Sequence, residues 1–258
     1  MSDARSDAYL LEVCSASASF AVDAAEAGAD RVELCANLVE GGTTPSIGEI
    51  EIALDRLSVP MMVMVRPRGG DFLYDPSEYA IMERDIDRIR EAGGEGVVFG
   101  ILRRNGTIDV ERTKGLVERA RPMGVTFHRA FDVSRDLRAG IDELKACGVD
   151  RVLTSAGRRR VTDALDALAL LAEAAGTDLS VLACGEVRAD NVAAVLGTPG
   201  IREVHIGASA RRPSAMDHRV FDVPMGRAYT PDEYVVEAAD SGLIRAIAGT
   251  LRAVGPGT

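Results

Sequence analysis

The chain has 258 residues, of which 47% are hydrophobic and 27% charged, a balance typical of a globular protein with a sizeable core. Its formal net charge of −10 argues against a nucleic-acid partner and against an anionic membrane surface, because both repel an acidic protein. The start of the chain lacks the basic region and apolar run of a secretory signal, and no apolar stretch is long enough for a membrane helix. We therefore expect a cytoplasmic protein whose four cysteines are reduced.

Short aliphatic or β-branched segments alternate eight times with longer amphipathic segments. The predicted strands span residues 10–13, 31–34, 61–65, 96–99, 125–127, 151–154, 180–183 and 203–206. Helices are predicted between them, for example over 19–27, 76–92 and 164–174, and several end in a glycine before the next strand. This order and the chain length predict a single-domain α/β fold, the (β/α)8 or TIM barrel, over residues 1–258.

A doubly wound open sheet is the alternative fold. The first strand-to-helix turn, however, lacks the GxGxxG phosphate fingerprint, so no nucleotide cofactor is expected. Two parts of the chain fall outside the eight repeats. We expect a flexible start over residues 1–9 and a C-terminal extension over 210–258, made of an irregular segment (210–230) and a closing helix (232–253).

In a TIM barrel, the residues near the carboxyl ends of the strands surround the functional site, at an end of the barrel called here the mouth. In this chain those positions are unusually polar. They comprise Glu12, Cys14, Glu33, Cys35, Arg66, His128, Arg129, Asp132, Thr154, Ser155, Cys184, Glu186 and His205.

The first two strands share a pattern, LEVC and VELC, that places a glutamate and a cysteine on the same side of each strand. Neighbouring parallel strands are about 4.8 Å apart, so Cys14 and Cys35 should be adjacent, with the carboxylates one layer deeper. Two thiolates suit copper(I), and a near-linear two-sulfur site needs no further ligand. The alternative is a pair of buried cysteines that act as small hydrophobic residues. Met62 and Met64, on the third strand, are interpreted as core filling.

The polar mouth also allows an enzymatic interpretation. Glu12 and Glu33 would be costly as unpaired buried charges, and Arg66 is their expected partner. Burial would raise the pKa of one carboxyl while Arg66 lowers that of the other, which gives a general acid and a general base. His128 would then move a proton and Asp132 would orient it. A structural ion-pair network is the alternative.

Several ordered segments resemble those of the CutC copper homeostasis family. They are LEVC, GADRVELCANLVEGGTTPS, VMVRPRGGDFLY, GVVFG, VTFHRAFD and RVLTS, spread over residues 10–155. The resemblance implies a TIM barrel, often dimeric, that acts as a cytoplasmic copper homeostasis or copper-binding protein. Carried over by position, it makes Cys14 and Cys35 the metal ligands. The residues implied to line the mouth are Glu12, Glu33, Arg66, His128 and Asp132.

The last third of the chain departs from that pattern. Where relatives tend to have a proline and a run of glycines, this chain has LACGEVRADN, which contains Cys184 and Glu186. A glutamate there opposes the binding of an anion to the turn. Three interpretations stay open: a copper-binding protein, a barrel enzyme that acts on a small polar metabolite, and a non-catalytic scaffold.

Overall fold

The structure, a computed structural model, describes residues 8–223 and 233–255. Eight parallel strands form a closed barrel in chain order, and β1 pairs with β8 to close the ring. The strands are β1 Leu10–Ser15, β2 Arg31–Leu34, β3 Met61–Met64, β4 Gly96–Phe99, β5 Gly124–Phe127, β6 Arg151–Thr154, β7 Ser180–Ala183 and β8 Glu203–Gly207. The predicted TIM barrel is confirmed, and each predicted strand agrees with an observed strand to within two residues at either end.

A helix follows each of the first seven strands, and an eighth helix ends the described chain. The helices are α1 Ala18–Glu26, α2 Ile47–Arg56, α3 Pro76–Glu91, α4 Val110–Ala120, α5 Leu137–Cys147, α6 Leu165–Ala175, α7 Val192–Leu196 and α8 Ser241–Val254. Local sequence explains their ends. Asp75 and Glu78 form a reciprocal capping box at the start of α3, and Gly148 ends α5 with φ of 76°, a left-handed conformation suited to glycine.

Side chains alternate between the two sides of each barrel strand. In β1, Leu11 and Val13 are fully buried in the main hydrophobic core, which lies between the strands and the surrounding helices. Glu12 and Cys14 therefore project into the barrel lumen. The lumen holds two small apolar clusters that are separate from the main core. One contains Cys35, Met62, Met64 and Val98, and the other contains Leu153, Leu182 and Cys184.

The C-terminal region differs from the prediction. The closing helix α8 begins at Ser241, where the side chain of Asp240 caps it by accepting from Leu243 N at 3.0 Å. Within the segment predicted as helix, Val235–Ala239 forms strand β10, which pairs antiparallel with β9 Ser209–Pro213. The β-branched start of β10 and the Asp-Ser-Gly capping sequence explain the later helix start. Residues 1–7, 224–232 and 256–258, also covered by these predictions, lie outside the described residues.

Candidate functional site

Two cysteines lie side by side at the mouth. Cys14 is near the end of β1 and half-buried, whereas Cys35 directly follows β2 and is buried. Their Sγ atoms are 3.9 Å apart, so the two residues are adjacent, as expected. The strand register pairs Cys14 with Glu33, which places Glu33 level with Cys14 and one layer below Cys35. This stagger brings a carboxyl group next to both thiols.

The two thiols differ in acidity. The hydrogen bond with Cys35 favours the thiolate form of Cys14 and, together with His205, outweighs burial and lowers the pKa of Cys14 to about 5. The same hydrogen bond, with burial, raises the pKa of Cys35 well above its usual value. At neutral pH the pair therefore shares one proton, with the negative charge on Cys14.

Glu12 is the centre of a buried ion-pair network. Arg31, at the start of β2, lies directly opposite Glu12 in the register and donates to Glu12 Oε2. Arg31 also donates to Glu203 Oε2 at 2.7 Å, and His205 Nδ1 is 2.7 Å from Glu12 Oε1. Burial alone would raise the pKa of Glu12, but the positive charge of Arg31 and the contact with His205 lower it to about 2. Glu12 is thus an ionised carboxylate with partners on both oxygens.

Arg66 does not have the predicted role. It is buried just beyond β3, and its guanidinium donates to backbone carbonyls of the loops after β2 and β3. These are the carbonyls of Glu40, Gly42 and Gly70, at 2.8, 2.9 and 2.8 Å. The predicted ion pair of Arg66 with Glu12 or Glu33 is therefore wrong. The barrel register instead supplies Arg31, which enters from the opposite, amino-terminal end of the strands.

Glu33 and His205 complete a compact group of possible ligands. Glu33 Oε2 is 3.5 Å from Cys35 Sγ and 3.9 Å from His205 Nε2. Glu33 Oε1 has no hydrogen-bond partner among the described residues. Two sets of potential metal ligands overlap at Glu33, and within each set the ligand atoms lie within 4.8 Å of one another. The sets are Cys14, Glu33 and Cys35, and Glu12, Glu33 and His205.

The two carboxyl groups have opposite pKa shifts. Burial, and next the negative charge of Cys14, raise the pKa of Glu33 well above its usual value, whereas the pKa of Glu12 is lowered. The sequence predicted such a divergence, but the lowering comes from Arg31 and His205, not from Arg66. Burial lowers the pKa of His205, yet its contacts with Cys14 and the two carboxyl groups outweigh burial and raise it well above the usual value.

His205, and not His128, faces the carboxylates. The sequence located His205 at the mouth, but the predicted ligand and catalytic sets omitted it. The decisive signal is barrel closure, because β8 then pairs with β1 and sets His205 opposite Glu12.

His128 occupies an apolar part of the mouth. It is buried, its ring lies 4.8 Å from that of Phe72, and its Nδ1 accepts from Ala130 N at 3.2 Å. Burial, with the nearby charge of Arg66, lowers the pKa of His128 to about 3. The ring is therefore neutral at neutral pH. Its Nε2 has no partner in the described part of the chain.

Asp132 links two mouth loops. Its carboxylate accepts from Ser155 N at 3.0 Å and Gly157 N at 3.1 Å in the loop after β6. It also pairs with Arg129 Nε at 2.8 Å within the loop after β5. These contacts orient backbone and not His128, so Asp132 acts as a structural anchor of this side of the mouth.

The turn after β7 is closed by ion pairs. Glu186 has a left-handed φ of 52° and accepts from Arg159 Nε at 2.9 Å. Cys184 is buried against Leu153 and Leu182. The turn after β7 therefore carries a carboxylate, which opposes the binding of an anion. A turn that exposes only backbone N–H groups would favour it.

Comparisons with known proteins give a consistent result. The family model described as the CutC family matches residues 9–210. A CutC family protein of Mesorhizobium japonicum is 44% identical over 244 residues, covering 95% of each chain. The human protein named copper homeostasis protein cutC homolog is 39% identical over 239 residues, covering 93% of this chain and 88% of its own.

Solved structures agree with the sequence comparisons. A crystal structure of CutC from Streptococcus agalactiae superposes with a TM-score of 0.73 at 34% identity, covering 76% of this chain and 97% of that one. Phosphoribosylanthranilate isomerase from Thermotoga maritima has a TM-score of 0.58 at 11% identity, covering 95% of this chain and 99% of its own, and shares the fold alone. On the family match and on these identities, the chain belongs to the CutC family.

Proposed function

We propose that this protein takes part in copper homeostasis by binding copper(I) as cargo through Cys14 and Cys35. The observation that carries the proposal is the sulfur pair, 3.9 Å apart, in which the pKa of one thiol is lowered to about 5. Copper(I) is a soft ion that prefers thiolate sulfur, and a preformed thiolate needs no proton displaced before the metal binds. The name of the human relative supports the same process.

The test is an anaerobic copper(I) titration followed by mass measurement of the intact protein. We expect one copper(I) per wild-type chain and none in the Cys14→Ser, Cys35→Ser double variant. The matched control is the Cys147→Ser, Cys184→Ser double variant, which removes two buried thiols outside the pair and should keep the copper. Zinc(II) should bind more weakly, because it favours four ligands. Equal copper binding by both double variants would exclude the proposed site.

A second candidate function is catalysis on a small polar metabolite, and the opposite pKa shifts of Glu12 and Glu33 favour it. An ionised carboxylate beside a protonated carboxyl is the arrangement of a general base and a general acid. A thermal-shift screen with sugar phosphates and carboxylic acids tests this function. A ligand should stabilise the wild type but neither Glu12→Gln nor Glu33→Gln, whereas stabilisation retained in both variants would place its binding elsewhere.

The proposal includes a cytoplasmic location and a homodimer. The four free cysteines suit a reducing compartment. No helix in residues 8–223 and 233–255 combines the length and the apolar character needed to cross a bilayer. Phe221, Val223 and Met216, beyond β9, are 72%, 55% and 54% exposed, an apolar surface that suits contact with a second copy. Sedimentation equilibrium should give twice the mass of the chain, and a monomer would contradict this part of the proposal.

A further inference from the structure

The separation of the two sulfurs bears on how many ligands copper(I) would have, an inference that rests on the proposed copper function. With metal–sulfur bonds of about 2.3 Å, a linear site holds its sulfurs about 4.6 Å apart, and a trigonal site about 4.0 Å apart. Cys14 Sγ and Cys35 Sγ are 3.9 Å apart. The pair therefore fits a bent arrangement that has room for a third ligand, and not the near-linear two-sulfur site expected from the sequence.

The side chain of a methionine, Met64, packs in the same cluster as this pair. Leu34 on β2 is paired with Val63 on β3, so one step further along the strands Cys35 is next to Met64. Both residues are buried in the same lumen cluster, against which Cys14 also packs. The methyl group of Met64 and the sulfur of Cys35 approach the same point over Gly42. A Cβ added to that glycine would lie 3.1 Å from Cys35 Sγ and 3.6 Å from Met64 Cε.

We propose that the thioether of Met64 is the third ligand of copper(I), completing a trigonal site with Cys14 and Cys35. Thioether sulfur is soft and uncharged, so it binds copper(I) without adding negative charge next to Glu33. Zinc(II) takes thiolate, imidazole and carboxylate ligands, and a thioether offers it none of these. Met64 thus contributes to the selection of copper(I) over zinc(II).

The other candidates for the third position are less suitable. Glu33 offers oxygen, which suits hard cations such as magnesium, calcium and manganese. His205 is engaged by the carboxyl groups instead, because its Nδ1 is hydrogen-bonded to Glu12 Oε1 at 2.7 Å and its Nε2 lies 3.9 Å from Glu33 Oε2. Met62 is one layer deeper, level with Glu33, and its sulfur packs onto Gly96, where an added Cβ would lie 2.3 Å from Sδ.

Selenium labelling gives a direct test. Protein in which every methionine is selenomethionine is loaded with copper(I), and X-ray absorption at the copper edge is recorded. We expect a copper–selenium scattering path in the wild type and its loss in Met64→Leu. The matched control is Met62→Leu, a similar change of volume on the same strand, which should retain the path. Absence of the path in copper-loaded wild type, or its survival in Met64→Leu, would overturn the assignment of Met64.

Copper affinity gives an independent measurement. In competition with a chromophoric copper(I) chelator, Met64→Leu should bind copper(I) at least about tenfold more weakly than Met62→Leu, with zinc(II) affinity unchanged. Failure of this inference alone would leave a copper–sulfur signal that requires Cys14 and Cys35 but not Met64. Failure of the proposed function is distinct, because copper(I) would then bind neither the wild type nor Met64→Leu, or would bind without the two cysteines.

Discussion

The two sides of the barrel lumen differ in chemistry although they share one backbone plan. On β1, β2 and β8 the lumen side chains are charged or carry sulfur, with Glu12, Arg31 and His205 in direct contact. On β6 and β7 the lumen is apolar near the mouth, where Leu153 and Leu182 pack against a buried thiol, while Arg151 at the start of β6 pairs with Glu203. Burial of the leucines stabilises the fold by the hydrophobic effect, whereas buried charges stabilise it little compared with apolar residues of the same shape. Fold stability therefore does not account for the buried charges and sulfurs on β1, β2 and β8. The chemistry that these groups can perform accounts for them better.

The largest expected effect is that of Arg31→Met. It would remove the partner that the carboxylates of Glu12 and Glu203 share, leaving Glu12 with His205 and Glu203 with Arg151, and the loss of a buried ion-pair partner costs at most about 3–5 kcal/mol. Urea unfolding measures the loss. The control is Arg138→Met, which removes an exposed pair with Asp142 and should change the free energy of unfolding by less than about 1 kcal/mol. Equal effects of the two substitutions would show that the lumen network does not support the fold.

On the apolar side, Leu182→Ala should destabilise the protein by about 3 kcal/mol, because it creates a cavity at a fully buried position. Copper(I) stoichiometry should not change, since the Cys14 and Cys35 pair is on β1 and β2. Loss of copper binding in a folded Leu182→Ala variant would show that the two sides of the lumen are coupled.

The two carboxyl groups should give opposite pH dependences of stability. The lowered pKa of Glu12 stabilises the folded state above the unfolded pKa, and this contribution is lost as the pH falls toward about 2. The raised pKa of Glu33 favours folding below the unfolded pKa, and this contribution is lost as the pH rises through the folded value. Glu33→Gln should therefore remove a decline of stability with rising pH, and Glu12→Gln should remove a decline in acid. The measurement is the free energy of unfolding of each variant across the pH range. Identical pH profiles for the two variants would contradict the opposite pKa shifts of Glu12 and Glu33.

The smallest expected effect is a partial shift in the titration of Cys14. Its low pKa depends first on Cys35 and then on His205. In His205→Gln, the thiolate absorbance should therefore titrate at a higher pH than in the wild type, but below that of an ordinary cysteine. Cys35→Ser should cause the larger shift. An unchanged titration midpoint in His205→Gln would show that His205 does not influence the pKa of Cys14.

Much of the fold was predictable because buried parallel strands have a distinct sequence pattern. Segments such as GVVF and RVLT are short, aliphatic and preceded by glycine or by a helix end, and they became β4 and β6. The hairpin of β9 and β10 was missed, since Val235–Ala239 is a short segment that also suits the start of an amphipathic helix. The capping Asp240 was the available signal for the true start of α8.

Less of the site was predictable, because contacts across a barrel depend on stagger. The repeated LEVC and VELC patterns were enough to predict that Cys14 and Cys35 are adjacent. They did not reveal that Arg31, at the first position of its strand, is opposite Glu12, which depends on the register of the ring. Arg66 was a reasonable partner because it follows the neighbouring third strand, but its guanidinium donates to loop carbonyls instead.

Closure of the ring between β1 and β8 also has a consequence during synthesis of the protein. A ribosome releases Cys14 and Cys35 early, whereas His205 follows 193 positions after Glu12. Until the last barrel strand docks, the two thiols lack the histidine that helps to keep one of them ionised. A nascent chain that has not yet docked β8 therefore lacks part of the cause of the low pKa of Cys14, and the acidity of the thiol pair is complete only once the ring has closed.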